Sequence, residues 1–259
     1  MAAAPRGRAL GFLRALAAAV LASFLGGCAS APRSSSEGSG ALLSRAAPCS
    51  VCGDLATPGS GAVRWPDGRV SCGPCAEDAV VDLSEARRAL DEARAALAEL
   101  LGVDLGAARV TLRLAEREGL LRRAGEGLEH PDLRAFTEVV EVLAGERVER
   151  RRFAVHVLRG LPRTCLVGIL AHELFHVWQT LQGGVRPGAQ PAFREGAAQY
   201  AQWRVLRALG AERWVRRLEA NPDPVYGVGL RRFRRLAKER GERAALRMGA
   251  QRDGFPSGY

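Results

Sequence analysis

Residues 163–183 constrain this chain more than any other stretch. They place His172, Glu173 and His176 in the order H-E-x-x-H inside a run that reads as helix. Pro162 with Arg163 and Thr164 marks its start, and Gly183 with Gly184 its end. Val167, Ala171, Leu174, Trp178 and Leu181 recur at alternating four and three spacing, so the face away from the histidines is apolar and the helix belongs inside a domain. Two histidines four positions apart share one helical face and can reach a single metal ion. Glu173, one step round, can then hold a water at that ion. A carboxylate on so apolar a helix needs a partner, because burying it alone is costly.

The cysteines form a second constellation. Cys49 with Cys52 and Cys72 with Cys75 are two C-x-x-C pairs about twenty residues apart, the spacing of a zinc ribbon with each pair on a tight turn. Between them Trp65-Pro66-Asp67-Gly68-Arg69 carries an Asp-Gly hairpin signal. Two disulfides are the competing arrangement, but adjacent knuckles favour a structural metal. Cys28 and Cys165 stand alone.

Cys28 has its own context. Arg6, Arg8 and Arg14 precede a short apolar run over residues 15–25, the plan of an export signal and too short to span a bilayer comfortably. The run ends in Leu25-Gly26-Gly27-Cys28, which resembles the bacterial lipobox, where cleavage exposes a cysteine that carries lipid. An uncleaved anchor or a plain secretory signal is the alternative. The expected organisation is a lipoprotein signal over 1–27, a Ser/Gly/Pro-rich tether over 28–45, a zinc ribbon or half-LIM module over 46–82 and a catalytic domain over 83–259.

Within that last region Leu83, Leu90, Ala93, Leu97 and Leu100 predict a core-facing helix, with Ser84 as N-cap and Gly102 as stop. Val110, Leu112 and Leu114 predict one strand, Phe153, Val155 and Val157 another, and residues 136–143 a weaker third. His130 and His156 lack partner motifs and read as surface or strand-face residues. The chain carries a formal charge of +10, almost all of it arginine, with Lys238 the only lysine. That bias looks like genome composition, and few aromatics stand among the basic residues, so nucleic-acid binding is discounted. The arginines of the C-terminal helices read as a solvated face, with anionic lipid as the sharper alternative.

A catalytic zinc keeps three protein ligands and an open position. His172 and His176 supply two, and Glu195, at the start of the next helix, is the best-placed third; Gly196 beside it would let the two helices approach. Gln199, one turn on, can accept the far N–H of a metal-bound histidine. With zinc lowering the pKa of its water, Glu173 takes the proton as water attacks a scissile carbonyl, then protonates the leaving amine. Tyr226, ranked ahead of Tyr200, is the candidate donor to the developing oxyanion.

From about Cys49 to Pro256 the chain resembles the C-terminal half of the plant LIM-domain peptidases that limit organ growth, the DA-one-like family. The resemblance rests on residues 67–75 at the end of the LIM zinc module, residues 158–162 with 168–176 at the active-site segment, Glu195-Gly196 with Gln199, and Pro224-Val225-Tyr226-Gly227. It implies a zinc metallopeptidase with His172, His176 and Glu195 as ligands and Glu173 as base. Family members are endopeptidases activated in plants by ubiquitination. Here only one set of C-x-x-C pairs remains, a lipoprotein leader replaces the ubiquitin-interacting segment, and Arg194 stands where the plant enzymes tend to carry a second acidic residue.

The expectation is therefore an α+β, gluzincin-like domain, a small antiparallel sheet packed on the H-E-x-x-H and Glu195 helices, with an N-terminal zinc ribbon. It would hold two zinc ions, one catalytic and one structural, act on protein or peptide substrates, and sit at a bacterial envelope through lipid on Cys28. The rival is a non-catalytic zinc-stabilised binding module, against which the intact Glu173 argues. Amide hydrolysis in the cell wall shares the metal chemistry and differs only in substrate.

Overall fold

The structure, a computed structural model, describes residues 45–125, 133–144, 147–183 and 188–259. The leader, Cys28, nearly all of the tether, His130, Gly184 and Pro187 lie outside them. The N-terminal part is built from short pieces joined by tight turns. Strand β1 (Ala47–Pro48) pairs antiparallel with β2 (Leu55–Ala56), and β3 (Val63–Arg64) with β4 (Val70–Ser71). The expected hairpin turn is present, with the Gly68 N–H donating to the Trp65 carbonyl at 3.0 Å and Gly68 at φ 81°. Helix α1 (Gly73–Glu77) starts directly after Cys72. Gly73 is required there, because a Cβ would lie 2.1 Å from the Ser60 carbonyl oxygen. Strand β5 (Ala79–Val80) leads out of this region.

Helix α2 (Leu83–Leu101) stops at Gly102 in the left-handed conformation, as expected. Its cap is Asp82 and not Ser84: the Asp82 carboxylate accepts from the backbone N–H groups of Ser84 and Glu85. The buried stripe is Ala86, Ala89, Ala93, Leu97 and Leu101, while Leu83 is exposed. The leucine-based reading set the helix rotation wrongly because α2 packs on a helix crowded with large side chains, against which small residues fit.

Strand β6 (Val110–Ala115), helix α3 (Arg117–Ala124), β7 (Ala135–Ala144) and β8 (Arg147–Leu158) follow. The weakest of the three strand expectations is thus a full strand. The sheet order is β6-β8-β7, with β8 antiparallel to β7 and parallel to β6. The expected antiparallel sheet is therefore mixed. β7 and β8 form a hairpin, and β6 joins the far side of β8 through a crossover that alternation within single strands does not reveal. Strand β9 (Leu161–Pro162) pairs with β5, joining the N-terminal part to the entry of the next helix.

That helix, α4 (Arg163–Leu181), carries H-E-x-x-H. Every residue from Cys165 to Thr180 is buried, so the helix is enclosed on all sides and not amphipathic. It packs against α2, β7 and α5 (Pro191–Ala208), and Gly168 admits Leu206 of α5 at under 3 Å from where a Cβ would stand. Helices α6 (Glu212–Ala220), α7 (Gly227–Arg240) and α8 (Glu242–Gln251) complete the chain. Gly196 serves the contact of α5 with α7, not with α4: a Cβ there would meet the Gly229 backbone at 2.6 Å. Buried side chains from Cys49 to Ala250 form one hydrophobic cluster. Among the described residues no helix is long and apolar enough to cross a membrane.

Candidate metal centre

Two groups of buried side chains converge. In the first, one ligand atom from each of Cys49, Cys52, Cys72 and Cys75 lies within 4.8 Å of every other, and all four thiols are free. Cys52 Sγ and Cys72 Sγ are 3.5 Å apart, far beyond the about 2.05 Å of a disulfide. That separation is near the edge of a sulfur tetrahedron around zinc, about 3.8 Å for bonds of about 2.3 Å. The turns that hold them are local. Gly53, at φ 75°, donates its N–H to the Cys49 carbonyl, and the Cys52 N–H points at Cys49 Sγ at 3.5 Å. Hydrogen bonds from the Cys52 and Cys75 thiols hold Cys49 low, while the bond to Cys49 pushes Cys52 up to about 12. Four thiols so close cannot all ionise without a cation among them. This set fits a structural zinc.

The second group is His172, His176 and Glu195, from α4 and α5, and one ligand atom of each again lies within 4.8 Å of the others. His172 Nε2 and His176 Nε2 are 3.0 Å apart, and each is 3.2 Å from Glu195 Oε2. Glu195 is only 3% exposed and sits one turn inside α5, which begins at Pro191, so it is not a solvated residue at a helix start.

The outer partner of His176 is Gln179, three residues on along α4. Gln179 Nε2 donates to the carbonyls of Gly249 at 2.8 Å and Arg194 at 3.3 Å. This orients its Oε1 toward His176 Nδ1 at 2.7 Å, and an oxygen there requires Nδ1 to carry the proton. A neutral His176 then presents a bare Nε2 lone pair toward the Glu195 carboxylate and the other imidazole. Acceptor facing acceptor inside a protein calls for a cation. One proton can satisfy one pair, whereas three donor atoms at 3.0–3.2 Å match the about 3.3 Å edge expected around zinc with bonds of about 2.0–2.1 Å. Against the upward push of burial, positive charge on the His176 and His172 side, which a bound cation would supply in place of a proton, holds Glu195 below the ordinary carboxylate range. His172 Nδ1 has no hydrogen-bond partner among the described residues.

Glu173 is fully buried. Thr137 of β7 donates its hydroxyl to Glu173 Oε2 at 2.8 Å, while Oε1 has no partner among the described residues. Burial pushes its carboxyl up to about 7, against the opposing pull of His172 and the Thr137 bond. The group is an oriented carboxyl with one idle oxygen, able to take and return a proton near neutrality.

Tyr226, the residue preceding α7, is brought to the site, its ring centroid 6.4 Å from that of His172. Burial, then Glu195 and Glu173, raise its phenol far above the ordinary value, so it remains a donor. Tyr200 is committed elsewhere and donates to Glu242 at 2.7 Å. Gln199 is buried but bonds to neither imidazole, and its Nε2 has no partner among the described residues. The outer role expected of Gln199 thus belongs, for His176, to Gln179. A glutamine three positions after a ligand on the same helix is a signal that could have been read. Thr137 comes from a strand distant in sequence and carries no such signal. His156 stays apart from the centre, its Nε2 2.9 Å from Glu138 Oε2 and its ring stacked on Phe136.

A family model described as DA1-like: Protein DA1 matches residues 128–208. This stretch is similar to the DA1-like family. It spans β7, β8, α4 and α5, and so includes His172, Glu173, His176, Glu195, Thr137 and Gln179, but neither the four cysteines nor Tyr226. No curated protein and no solved structure matches the chain.

Proposed function

We propose that this protein is a zinc metallopeptidase with a gluzincin-like centre. The observation that carries the reading is the bare His176 Nε2 directed at Glu195 and His172, beside a buried Glu173 with one idle oxygen. His172, His176 and Glu195 would hold the zinc. When bound, the ion lowers the pKa of water and polarises a carbonyl oxygen.

The chain's own groups do the rest. Thr137 fixes Glu173 Oε2, leaving Oε1 to take the proton of the attacking water. The same carboxyl then returns that proton to the leaving amine, for which a group balanced near neutrality is suited. Tyr226, held protonated beside His172, is placed to donate to the oxygen on which charge develops. Gln179 keeps His176 in the tautomer that presents Nε2 inward. The four cysteines would hold a second, structural zinc.

The test separates base from ligand. Glu173→Gln keeps shape and metal but removes the base, and should lower peptide hydrolysis about a hundred- to ten-thousandfold. Glu195→Gln should lose zinc first and activity as a consequence, with partial rescue by added zinc. Cleavage by Glu173→Gln at the parental rate sinks the catalytic reading and leaves the zinc-stabilised binding module. Unchanged zinc in Glu195→Gln would place the third ligand elsewhere. We further propose that lipid on Cys28 anchors the protein at a bacterial envelope. Cys28→Ser should release it from membranes, and unchanged membrane fractionation would point to an uncleaved anchor.

A further inference from the structure

Three guanidinium groups close on the first cysteine knuckle, and none takes part in the chemistry above. Arg134, just ahead of β7, donates from Nη2 to the Ser50 and Val51 carbonyls at 3.2 and 2.8 Å. Arg217 of α6 lies against Gly53, where a Cβ would stand 3.2 Å from its Nη2. Arg213 is one turn earlier on the same face of α6. It donates from Nη2 to Asp54 Oδ2 at 2.7 Å and toward Cys72 Sγ at 3.8 Å. Arg213 and Arg217 are two of the arginines that read in the sequence as a solvated face, and both are turned onto the knuckle instead. Arg134 Nη1 and Arg217 Nε are shielded from water and have no partner among the described residues.

Like charges one turn apart on a helix repel, and guanidinium nitrogens shut away from water without acceptors are costly. Among these contacts Asp54 is the single carboxylate, and it meets Arg213. Four protonated thiols would leave the remaining positive charge without an anion. Zinc held by four thiolates is a dianion, and it would stand where the guanidiniums gather. Resting on the structural-zinc reading, we infer that Arg134, Arg213 and Arg217 are the counter-charge of that centre, so that metal in the knuckle locks α6 onto the N-terminal module. Helix α6 packs on α5, which carries Glu195. The lock therefore ties the module to the second helix of the catalytic group, beside the route through Arg134 to β7.

Cobalt(II) titrated into the full chain tests this, because sulfur-to-cobalt charge transfer reports the four-cysteine group and not His172, His176 and Glu195. Competition with zinc then gives the zinc affinity of that group. Arg213→Gln and Arg217→Gln should each weaken it about ten- to a hundredfold while the other group binds as in the parent. Arg213→Lys keeps the charge without the planar fork and should be intermediate. Asp54→Asn should act in the opposite sense. It frees Arg213 from a competing anion, so the metal should be held at least as tightly as in the parent, whereas a role in folding alone predicts a loss. During the titration, hydrogen exchange in residues 212–220 should slow in step with the charge-transfer band. Circular dichroism of the loaded variants reports folding, and Arg213, with its side chain 35% exposed, decides if Arg217→Gln does not fold.

Parental affinity at the sulfur site in both Arg213→Gln and Arg217→Gln overturns the inference and leaves the structural zinc standing. So does full protection of α6 in the metal-free chain, or a loss in Asp54→Asn as large as that in Arg213→Gln. Absence of the charge-transfer band from the parent itself sinks the structural-zinc reading, and the inference with it.

Discussion

The two metal-binding groups differ in what holds them together. The four cysteines come from residues 49–75, set by tight turns, two-residue strands and one short helix. Little of that stretch would persist without a common ligand. His172, His176 and Glu195 come from α4 and α5, long helices enclosed by packed side chains, whose positions do not depend on an ion. A metal in the first group would act as a staple, whereas one in the second would enter a site built beforehand. The two are not independent. Arg134 donates from Nη2 to the carbonyls of Ser50 and Val51 between the first two cysteines, and it stands just ahead of β7, whose Thr137 holds Glu173. Damage to the staple should reach the base along β7, while emptying the catalytic centre should leave the staple intact.

The largest effect that sharpens this contrast is expected from Cys75→Ser. It should cost several kcal/mol of stability, part of the about 10–16 kcal/mol that a structural zinc supplies in small zinc-bound domains. Urea unfolding of parent and variant measures it, and coincident midpoints would break the comparison. In the parent, graded chelation should remove one zinc with little change in circular dichroism and the second together with folding. A single stage with both losses coincident argues that the catalytic helices also need their ion.

Next in size is Gln179→Ala. Losing the acceptor on His176 should weaken zinc at the catalytic centre about ten- to a hundredfold while the four-cysteine site stays filled. Gln199→Ala should do less, since Gln199 bonds to neither imidazole. Zinc competition titrations rank the two, and the reverse order would return the outer role to Gln199. The smallest effect is expected of Thr137→Val, which frees Glu173 Oε2 without touching a ligand. A fall of about tenfold in kcat at unchanged zinc content fits a positioning role. A matching fall in zinc content would make Thr137 part of the metal site's support instead.

Both metal groups were legible because each rests on short-range periodicity. C-x-x-C fixes two sulfurs on one turn, and H-E-x-x-H fixes two imidazoles on one helical face. Glu195 was legible as the carboxylate on the following helix. Gln179 stands at helical spacing from His176, but its amide is aimed by the Gly249 carbonyl, distant in sequence, so spacing alone does not set it apart from Gln199. The core face of α2 was misread for a related reason: leucine periodicity says which residues are apolar, and only the crowded surface of α4 selects alanine to face it.

The sequence by itself determined the residue types of both candidate metal groups, the carboxylate between the two histidines, the turns of the cysteine knuckles and the helices that carry His172, His176 and Glu195. These follow from covalent spacing and local backbone geometry. The tertiary structure alone decided that the sheet is mixed, that β7 brings Thr137 to Glu173, that Gly196 serves α7 and not α4, and that Gln179 holds His176. These depend on which surfaces meet across the chain. Such meetings are set by volume and hydrogen-bond satisfaction summed over many side chains, and no local pattern of residues encodes that sum.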